Sequence, residues 1–261
     1  MGRFKVYIEY EGTRYSGWQV QKNARTVQGE IQAALAKVLK TNTFEFSGAG
    51  RTDAGVHALL QVAHLDAQTM LAPEIIRMKV NDELPEDINF IEVEKTPATF
   101  HARHDAVARS YLYQISRRRT ALGKRFVWWI KDRLDERLMQ ETLDQFVGMK
   151  DLQSFTDDDP EEKSTKVLID EALLTTAGDL ILVRITGSHF LWKLVRRMVG
   201  VATEVGRGEL DIREVPRLFS QQSDVPTRLT APPSGLFLER VYYKGTPSLQ
   251  VLAPVMHVQR F

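Results

Sequence analysis

The chain is expected to fold as an α+β protein, with a mostly antiparallel central sheet, helices on one face, and two similar halves, residues 1–104 and 105–261. Three observations predict this. Segments of two-residue apolar alternation recur along the chain, segments of helical periodicity fall between them, and several alternating segments are joined by connections too short for a parallel crossover. No Pro/Ser-rich linker marks the boundary near residue 105, and identity between the halves is too weak to prove a repeat.

In order, Phe4, Val6, Ile8 and Tyr10 alternate with polar neighbours, the period of a half-buried strand. Thr26 then caps a helix whose Val27, Ile31, Ala34, Leu35 and Val38 recur at helical spacing. Phe44-Glu45-Phe46 starts a strand that breaks into a glycine-bearing turn, and Leu60 to Leu65 resumes strand character. A loop is thereby held between two strands. A short helix over Glu74 to Val80 follows, then a turn at Leu84-Pro85-Glu86-Asp87 and a strand over Ile88 to Val93. The second half reads as a strand over Tyr111 to Ile115, an amphipathic helix over Leu134 to Val147, and paired strands over Val167 to Leu174 and Leu180 to Ile185. Ala177-Gly178-Asp179 supplies the turn of that pair. A helix over Leu191 to Val205 ends near Gly206 and Gly208, and Leu236 to Tyr243 is the last strand.

Composition narrows the function classes. At 261 residues and 43% hydrophobic content the chain can bury a sizeable core, so disorder is not the expectation. No apolar run approaches the roughly 20 residues of a membrane helix, and Met1-Gly2-Arg3 runs into a strand rather than a signal peptide. With 0 Cys there is no disulfide framework, Cys-based zinc site or iron–sulfur cluster, which fits the cytoplasm. A formal net charge of +1 creates no global field for nucleic acid, yet the charge is unevenly placed. Arg103, Arg109, Arg117, Arg118, Arg119, Lys124 and Arg125 face Asp105 as the one acid in their stretch, and Lys193, Arg196 and Arg197 form a second basic group. Such runs are either solvated faces or phosphate contacts.

The segment richest in chemistry is Ser47-Gly48-Ala49-Gly50-Arg51-Thr52-Asp53-Ala54-Gly55-Val56-His57-Ala58. Three glycines within eight residues admit positive φ and close approach of a ligand. The segment lacks the Gly-Lys-Ser/Thr ending of a phosphate-binding loop and the spacing of a dinucleotide fold, so a nucleotide cofactor is not indicated. Arg51 stands two residues before Asp53, which in an extended strand puts both side chains on one face. An arginine beside that carboxylate favours its ionised form, ready to act as a nucleophile or base. The same pair could equally do no more than tie down a turn.

Residues 48 to 58, Gly-Ala-Gly-Arg-Thr-Asp-Ala-Gly-Val-His-Ala, closely resemble the signature of the tRNA pseudouridine synthase A family. The resemblance continues in Tyr10-Glu11-Gly12 with Tyr15-Ser16-Gly17-Trp18-Gln19, and in Asn81 with Leu84-Pro85-Glu86-Asp87-Ile88. It extends through Phe100-His101-Ala102-Arg103, Arg109-Ser110-Tyr111-Leu112-Tyr113, Phe190 to Gly200, and Ala231-Pro232-Pro233-Ser234-Gly235-Leu236. It implies two ferredoxin/RRM-like halves around a central active-site cleft, a homodimer on tRNA, and isomerisation of uridine to pseudouridine without cofactor or metal. Asp53 is implied as the attacking group, at either C1′ of the ribose or C6 of the base. Tyr111 is implied to stack on the flipped-out uracil and assist at C5, with Tyr113 on its face of the strand. Arg196 is implied as a salt-bridge partner of Asp53, and Arg51 as a residue that pairs with Asp53 and then fills the space of the extruded base. The uridines implied lie at roughly positions 38 to 40 of the anticodon arm, selected by tRNA shape.

RNA-binding candidates are Arg103, Arg109, Arg117, Arg118, Arg119, Lys193, Arg197 and His57, with Trp128 and Trp129 adding aromatic surface or serving the core. His101 and His104 have the spacing of half a metal site, but with no further ligands nearby they read as hydrogen-bonding or phosphate-contacting groups. The sequence departs from the family pattern after Leu152-Gln153-Ser154-Phe155-Thr156, where Asp157-Asp158-Asp159-Pro160-Glu161-Glu162 replaces the usual arginines and would repel phosphate. Lys163 and Lys166 are partial substitutes, and the tail beyond Lys244 is expected to pack on a neighbouring strand or subunit. Two other functions fit the same residues: a non-catalytic RNA-binding scaffold, and an aspartate-dependent nucleoside hydrolase.

Overall fold

A computed structural model of the chain describes residues 2–162 and 164–258. Its elements run β1 (Gly2–Tyr10), α1 (Val27–Leu39), β2 (Phe44–Gly48), β3 (His57–Ala67), α2 (Pro73–Glu83), β4 (Ile88–Thr96), β5 (Ala106–Ser116) and β6 (Trp128–Trp129). They continue α3 (Glu136–Asp144), β7 (Gly148–Asp151), β8 (Lys166–Ala177), β9 (Leu180–Gly187), α4 (Leu194–Arg207), the single-turn helices α5 (Arg217–Ser220) and α6 (Val225–Arg228), and β10 (Leu236–Tyr243). The fold is α+β and its strand pairs are mostly antiparallel, as the alternation and short connections predict.

The chain divides into two units, residues 1–107 with 237–247, and residues 108–236 with 248–261. The last strand is therefore split off from the half in which sequence order places it. It joins the first unit because Phe237 and Leu238 pair in parallel with His57 and Ala58.

In the first unit β1 lies between β3 and β4, antiparallel to both, and β2 pairs with β3. The alternating residues Phe4, Val6, Ile8 and Tyr10 are buried, and they share the core with Val27, Ile31 and Leu35 of α1. Burying each such aliphatic side chain contributes about 1.5–3 kcal/mol. Thr26 caps α1 by accepting the Gly29 N–H at 3.3 Å. Pro73 begins α2, where a missing N–H costs nothing. Asn81 on α2 donates to the Phe90 carbonyl at 3.0 Å and accepts its N–H at 2.8 Å, so one amide side chain completes the backbone bonding of a core position on β4.

In the second unit β9 lies between β5 and β8, β7 extends the row beyond β8, and β6 pairs in parallel with β5. Asp135 caps α3 by accepting the Leu138 N–H at 3.0 Å, so the helix starts at Glu136, and it ends at Asp144, three residues before its apolar periodicity predicts. α4 also starts late. Lys193, inside the predicted helix, adopts the left-handed conformation (φ 62°, ψ 3°), so helical geometry begins only at Leu194. Eleven of the fourteen α4 residues are buried, and Gly200 sits so close to the Leu229 carbonyl that a side chain there would collide with it.

The tail also belongs to the second unit. Val255 donates its N–H to Gln114 on β5 at 2.7 Å, and Val258 is buried against the β8–β9 turn. Residues 259–261 and Lys163, part of two sequence-based readings, lie outside the described residues.

Candidate active site

The Asp53 loop, residues 49–56, connects β2 to β3, and its shape is set by the segment after β1. The Trp18 N–H bonds the Thr52 carbonyl at 3.0 Å, the Gly55 N–H bonds the Tyr15 carbonyl at 3.3 Å, and the Tyr10 and Thr52 hydroxyls share a 2.8 Å hydrogen bond. Gly17, at φ +94°, leaves a side-chain-free surface against Thr52, where a Cβ would come within 2.7 Å of the carbonyl oxygen. Gly12 does the same at the Val56 carbonyl, and the Trp18 ring covers Gly48. Gly12 and Gly17 thus serve close approach between two loops.

Asp53 opens a turn: its carbonyl accepts the Val56 N–H at 3.1 Å, and Gly55 at the third position has φ +79°. Such a turn needs φ > 0 there, which glycine adopts without strain. The Asp53 side chain is half-buried, and Thr52 and Val56 on either side are buried, so the carboxylate is presented by backbone that cannot easily shift. Around Gly50 nothing lies within 4 Å of where a Cβ would be. Arg51 is exposed, and sequence spacing alone expects it on the same face as Asp53. The same-face rule behind that expectation holds within strands, and residues 51–53 lie outside both β2 and β3.

His57, expected to touch phosphate, is instead a core residue, 1% exposed. Its Nδ1 accepts the Gly12 N–H at 3.0 Å and its ring stacks on Phe237 at 4.8 Å. The segment Phe100 to Asp105 is fastened to the first unit by Arg3 donating to the Phe100 carbonyl at 2.7 Å, the Ala102 N–H donating to His64 Nδ1 at 3.2 Å, and the Tyr243 hydroxyl donating to the Ala102 carbonyl at 2.7 Å. Lys5 Nζ lies over the rings of Tyr7, Phe100 and Tyr243 at 4.6–5.3 Å. Arg103 is exposed at the end of this anchored segment. Among the described residues no group of three or more His, Asp or Glu side chains could hold a metal, and the His101 and His104 rings lie tilted against one another with centroids 4.1 Å apart.

In the second unit Tyr111 sits on β5 opposite Ile185, half-buried, with the Phe190 ring edge-on at 4.9 Å. Tyr113 lies two residues on but is wholly buried: its hydroxyl donates to the Pro232 carbonyl at 2.7 Å, its ring closes over Gly235, and burial holds its pKa well above the ordinary phenol value. Tyr113 is thereby a support of Tyr111's strand, and only Tyr111 of the two has an accessible ring.

Arg196 is held on α4 by a reciprocal pair: its Nε donates to the Ala231 carbonyl at 2.7 Å and the Ala231 N–H donates to its own carbonyl at 3.1 Å. The stretch Ala231 to Gly235 therefore fixes both the arginine and the buried tyrosine.

The next arginine does something else. Arg197, expected on RNA, is 0% exposed and forms an ion pair with Asp157, while Lys193 Nζ lies 2.7 Å from the other Asp157 oxygen. Asp158 accepts the Trp192 N–H at 2.9 Å. Two acids of the run that seemed to repel phosphate are thus spent on the start of α4. Burial alone would push the Asp157 carboxyl up, but hydrogen bonds from Lys193 and Arg197 outweigh it and hold the group below its ordinary pKa. Sequence spacing gives no sign of a pairing across about 40 residues.

The remaining cations also divide. Arg117 pairs with Glu136 and donates to the Gly178 carbonyl at 2.8 Å, Arg118 Nε lies 3.2 Å from Asp179, and Arg109 donates to the Ser188 carbonyl at 3.0 Å. These three hold the scaffold. Arg119, Lys124 and Arg125 are exposed, with the Arg119 guanidinium 5.9 Å from the centre of the 43%-exposed Trp129 ring.

A half-buried carboxylate on a braced glycine turn, and separately an accessible strand tyrosine with a helix-borne arginine, are groups suited to acting on a base and its sugar. The family model described as tRNA pseudouridine synthase matches residues 6–105 and 143–244. The tRNA pseudouridine synthase A of Rhodopseudomonas palustris (strain BisA53) is 38% identical over 247 residues, covering 94% of this chain and 100% of the relative. That of Thermodesulfovibrio yellowstonii is 36% identical over 255 residues, covering 93% and 100%, and that of an Exiguobacterium species 34% identical over 244 residues, covering 94% and 99%. The chain belongs to the tRNA pseudouridine synthase family. It is accordingly an isomerase. No helix among the described residues is long and apolar enough to cross a membrane.

Proposed function

We propose that the enzyme isomerises uridine in the anticodon arm of tRNA, at roughly positions 38 to 40, recognising tRNA by shape and acting on a nucleotide flipped out of its stack. Asp53 is the attacking group. It forms a covalent bond at C1′ or C6, the N1–C1′ bond breaks, the uracil turns within the site, C5 joins C1′, the bond to Asp53 breaks and returns the free carboxylate, and the C5 proton is lost as N1 gains one. No atom is added or removed overall.

The observation that carries this reading is the bracing of the Asp53 turn by Gly12, Tyr15, Gly17 and Trp18, which holds a half-buried carboxylate in one geometry. Tyr111 supplies the stacking ring and assists at C5, supported by its half-exposed position beside Phe190. Arg196 serves as the fixed cation of the site, supported by its double attachment to Ala231. Arg51, exposed beside Asp53, fills the space left by the extruded base. We place this chemistry in the cytoplasm and in a homodimer, the latter on the strength of the family resemblance.

The test uses tRNA tritiated at uracil C5. Wild type is expected to release tritium to water and form pseudouridine, and Asp53→Asn to bind tRNA with affinity near that of wild type without turnover. Turnover by Asp53→Asn would overturn the mechanism, and release of free uracil would make the enzyme a hydrolase.

A further inference from the structure

The basic loop of residues 117–125 and the tail of residues 248–258 both belong to the second unit and lie outside the two stretches matched by the family model. Three separate ties join them. Buried Gln114 uses both ends of its amide, donating Nε2–H to the Phe126 carbonyl at 2.8 Å and accepting the Val255 N–H on Oε1 at 2.7 Å. Met256 lies directly against Gly123, which has φ +70°, so the tail covers the tip of the loop. The β8–β9 turn bridges the other end: the Arg117 N–H bonds the Asp179 carbonyl at 2.9 Å, Arg117 also donates to Gly178, and the Asp179 N–H reaches the Val258 carbonyl at 3.4 Å.

The tail is itself gripped. Arg184, 2% exposed on β9, donates to the Leu249 and Val251 carbonyls at 3.3 and 2.7 Å. A buried guanidinium that donates to tail carbonyls two residues apart fixes the path of an otherwise irregular segment. What the tail supports is a loop without acids of its own. From Arg117 to Lys131 the sequence has no Asp or Glu, and Arg119, Leu122, Lys124, Arg125 and Trp129 are exposed. Cations next to an accessible indole suit phosphates and unstacked bases.

We infer that residues 248–258 are a positioning strap that holds loop 117–125 in an RNA-binding shape, with Arg119 and Lys124 as phosphate contacts and Trp129 as a stacking surface. The inference rests on the proposed action on tRNA. Without the strap the loop would pay an ordering cost on each binding event, so the strap acts on affinity and not on the chemical step.

The experiment compares full-length wild type, Met256→Ala and the double variant Arg119→Ala/Lys124→Ala for tRNA binding across salt concentrations, kcat and KM on tRNA, and hydrogen exchange of residues 118–126. For the double variant the slope of log affinity against log salt should fall by about one to two, as expected from roughly 0.9 per phosphate contact. Met256→Ala should raise exchange in the loop, increase Kd and KM about three- to tenfold, lower the salt slope in the same direction, and keep kcat. Met256→Ala with unchanged exchange would overturn the strap. Raised exchange with unchanged affinity and slope, or a double variant that binds as wild type does, would overturn the loop as an RNA contact. If wild type makes pseudouridine while these variants match it throughout, only the strap inference falls. A wild type that neither binds nor modifies tRNA defeats the functional reading beneath it.

Discussion

Gly17 and Thr52 touch backbone to backbone: with φ at +94°, Gly17 presents only hydrogen where a Cβ would lie 2.7 Å from the Thr52 carbonyl oxygen, one residue before Asp53. Gly17→Ala therefore forces either an unfavourable φ or movement of the Asp53 turn. Stability should fall by about 1–3 kcal/mol, and kcat by at least about tenfold beyond what the unfolded fraction explains, because displacement of a reacting group by even about 1 Å is costly. Gly50→Ala provides the contrast in stability, since nothing lies within 4 Å of its Cβ position. Urea denaturation and tritium release on both variants check this. Equal stabilities for the two variants would remove the bracing argument.

Asp157 and Arg197 set a second expectation. Arg197 is wholly buried and its Nε and Nη1 have no hydrogen-bond partner among the described residues, so its charge depends on the Asp157 carboxylate. Asp157→Ala strands that charge. The cost expected is about 2–3 kcal/mol, below the ~3–5 for a fully buried pair because the carboxylate is 31% exposed. Arg197→Met in the Asp157→Ala background should recover much of the loss, since an apolar side chain of similar length needs no counter-charge. The carboxyl pKa is depressed in the folded state, so its contribution is present above the unfolded value near 4 and is lost as pH falls through the folded one. Chemical denaturation of the single and double variants measures both effects. A double variant less stable than Asp157→Ala would contradict the stranded charge.

Much of the fold was legible because it rests on local signals. Alternation at Phe4 to Tyr10, the Thr26 cap and the Ala177-Gly178-Asp179 turn each act within a few residues, and each appears where its pattern falls. Recognising the Asp53 segment needed only contiguous residues. Long-range partners were not legible. Nothing near His57 or Arg197 in the sequence reveals that one meets Gly12 and Phe237 and the other Asp157. A basic run likewise looks uniform until Glu136, Gly178 and Asp179 claim Arg117 and Arg118 and leave Arg119, Lys124 and Arg125 at the surface. The start of α4 was misplaced for a related reason, since the left-handed Lys193 is held by an aspartate 36 residues earlier.

His64 makes the anchoring of Phe100 to Asp105 dependent on pH. The imidazole is 1% exposed, and its Nδ1 must be unprotonated to accept the Ala102 N–H. Burial, with further repulsion from His101 and Arg3, lowers its pKa below the ordinary histidine value. The folded state thus prefers the neutral ring, and the unfolded chain binds the extra proton first. Stability from this group is complete above the unfolded pKa of about 6.5 and declines as pH drops through that value toward the folded one. His64→Asn keeps an acceptor in reach of the Ala102 N–H but cannot titrate. Its urea midpoint should change less than that of wild type between about pH 7.5 and 5.5, and hydrogen exchange of residues 100–105 should rise on acidification only in wild type. If both proteins respond equally across that range, protonation of His64 does not control the segment.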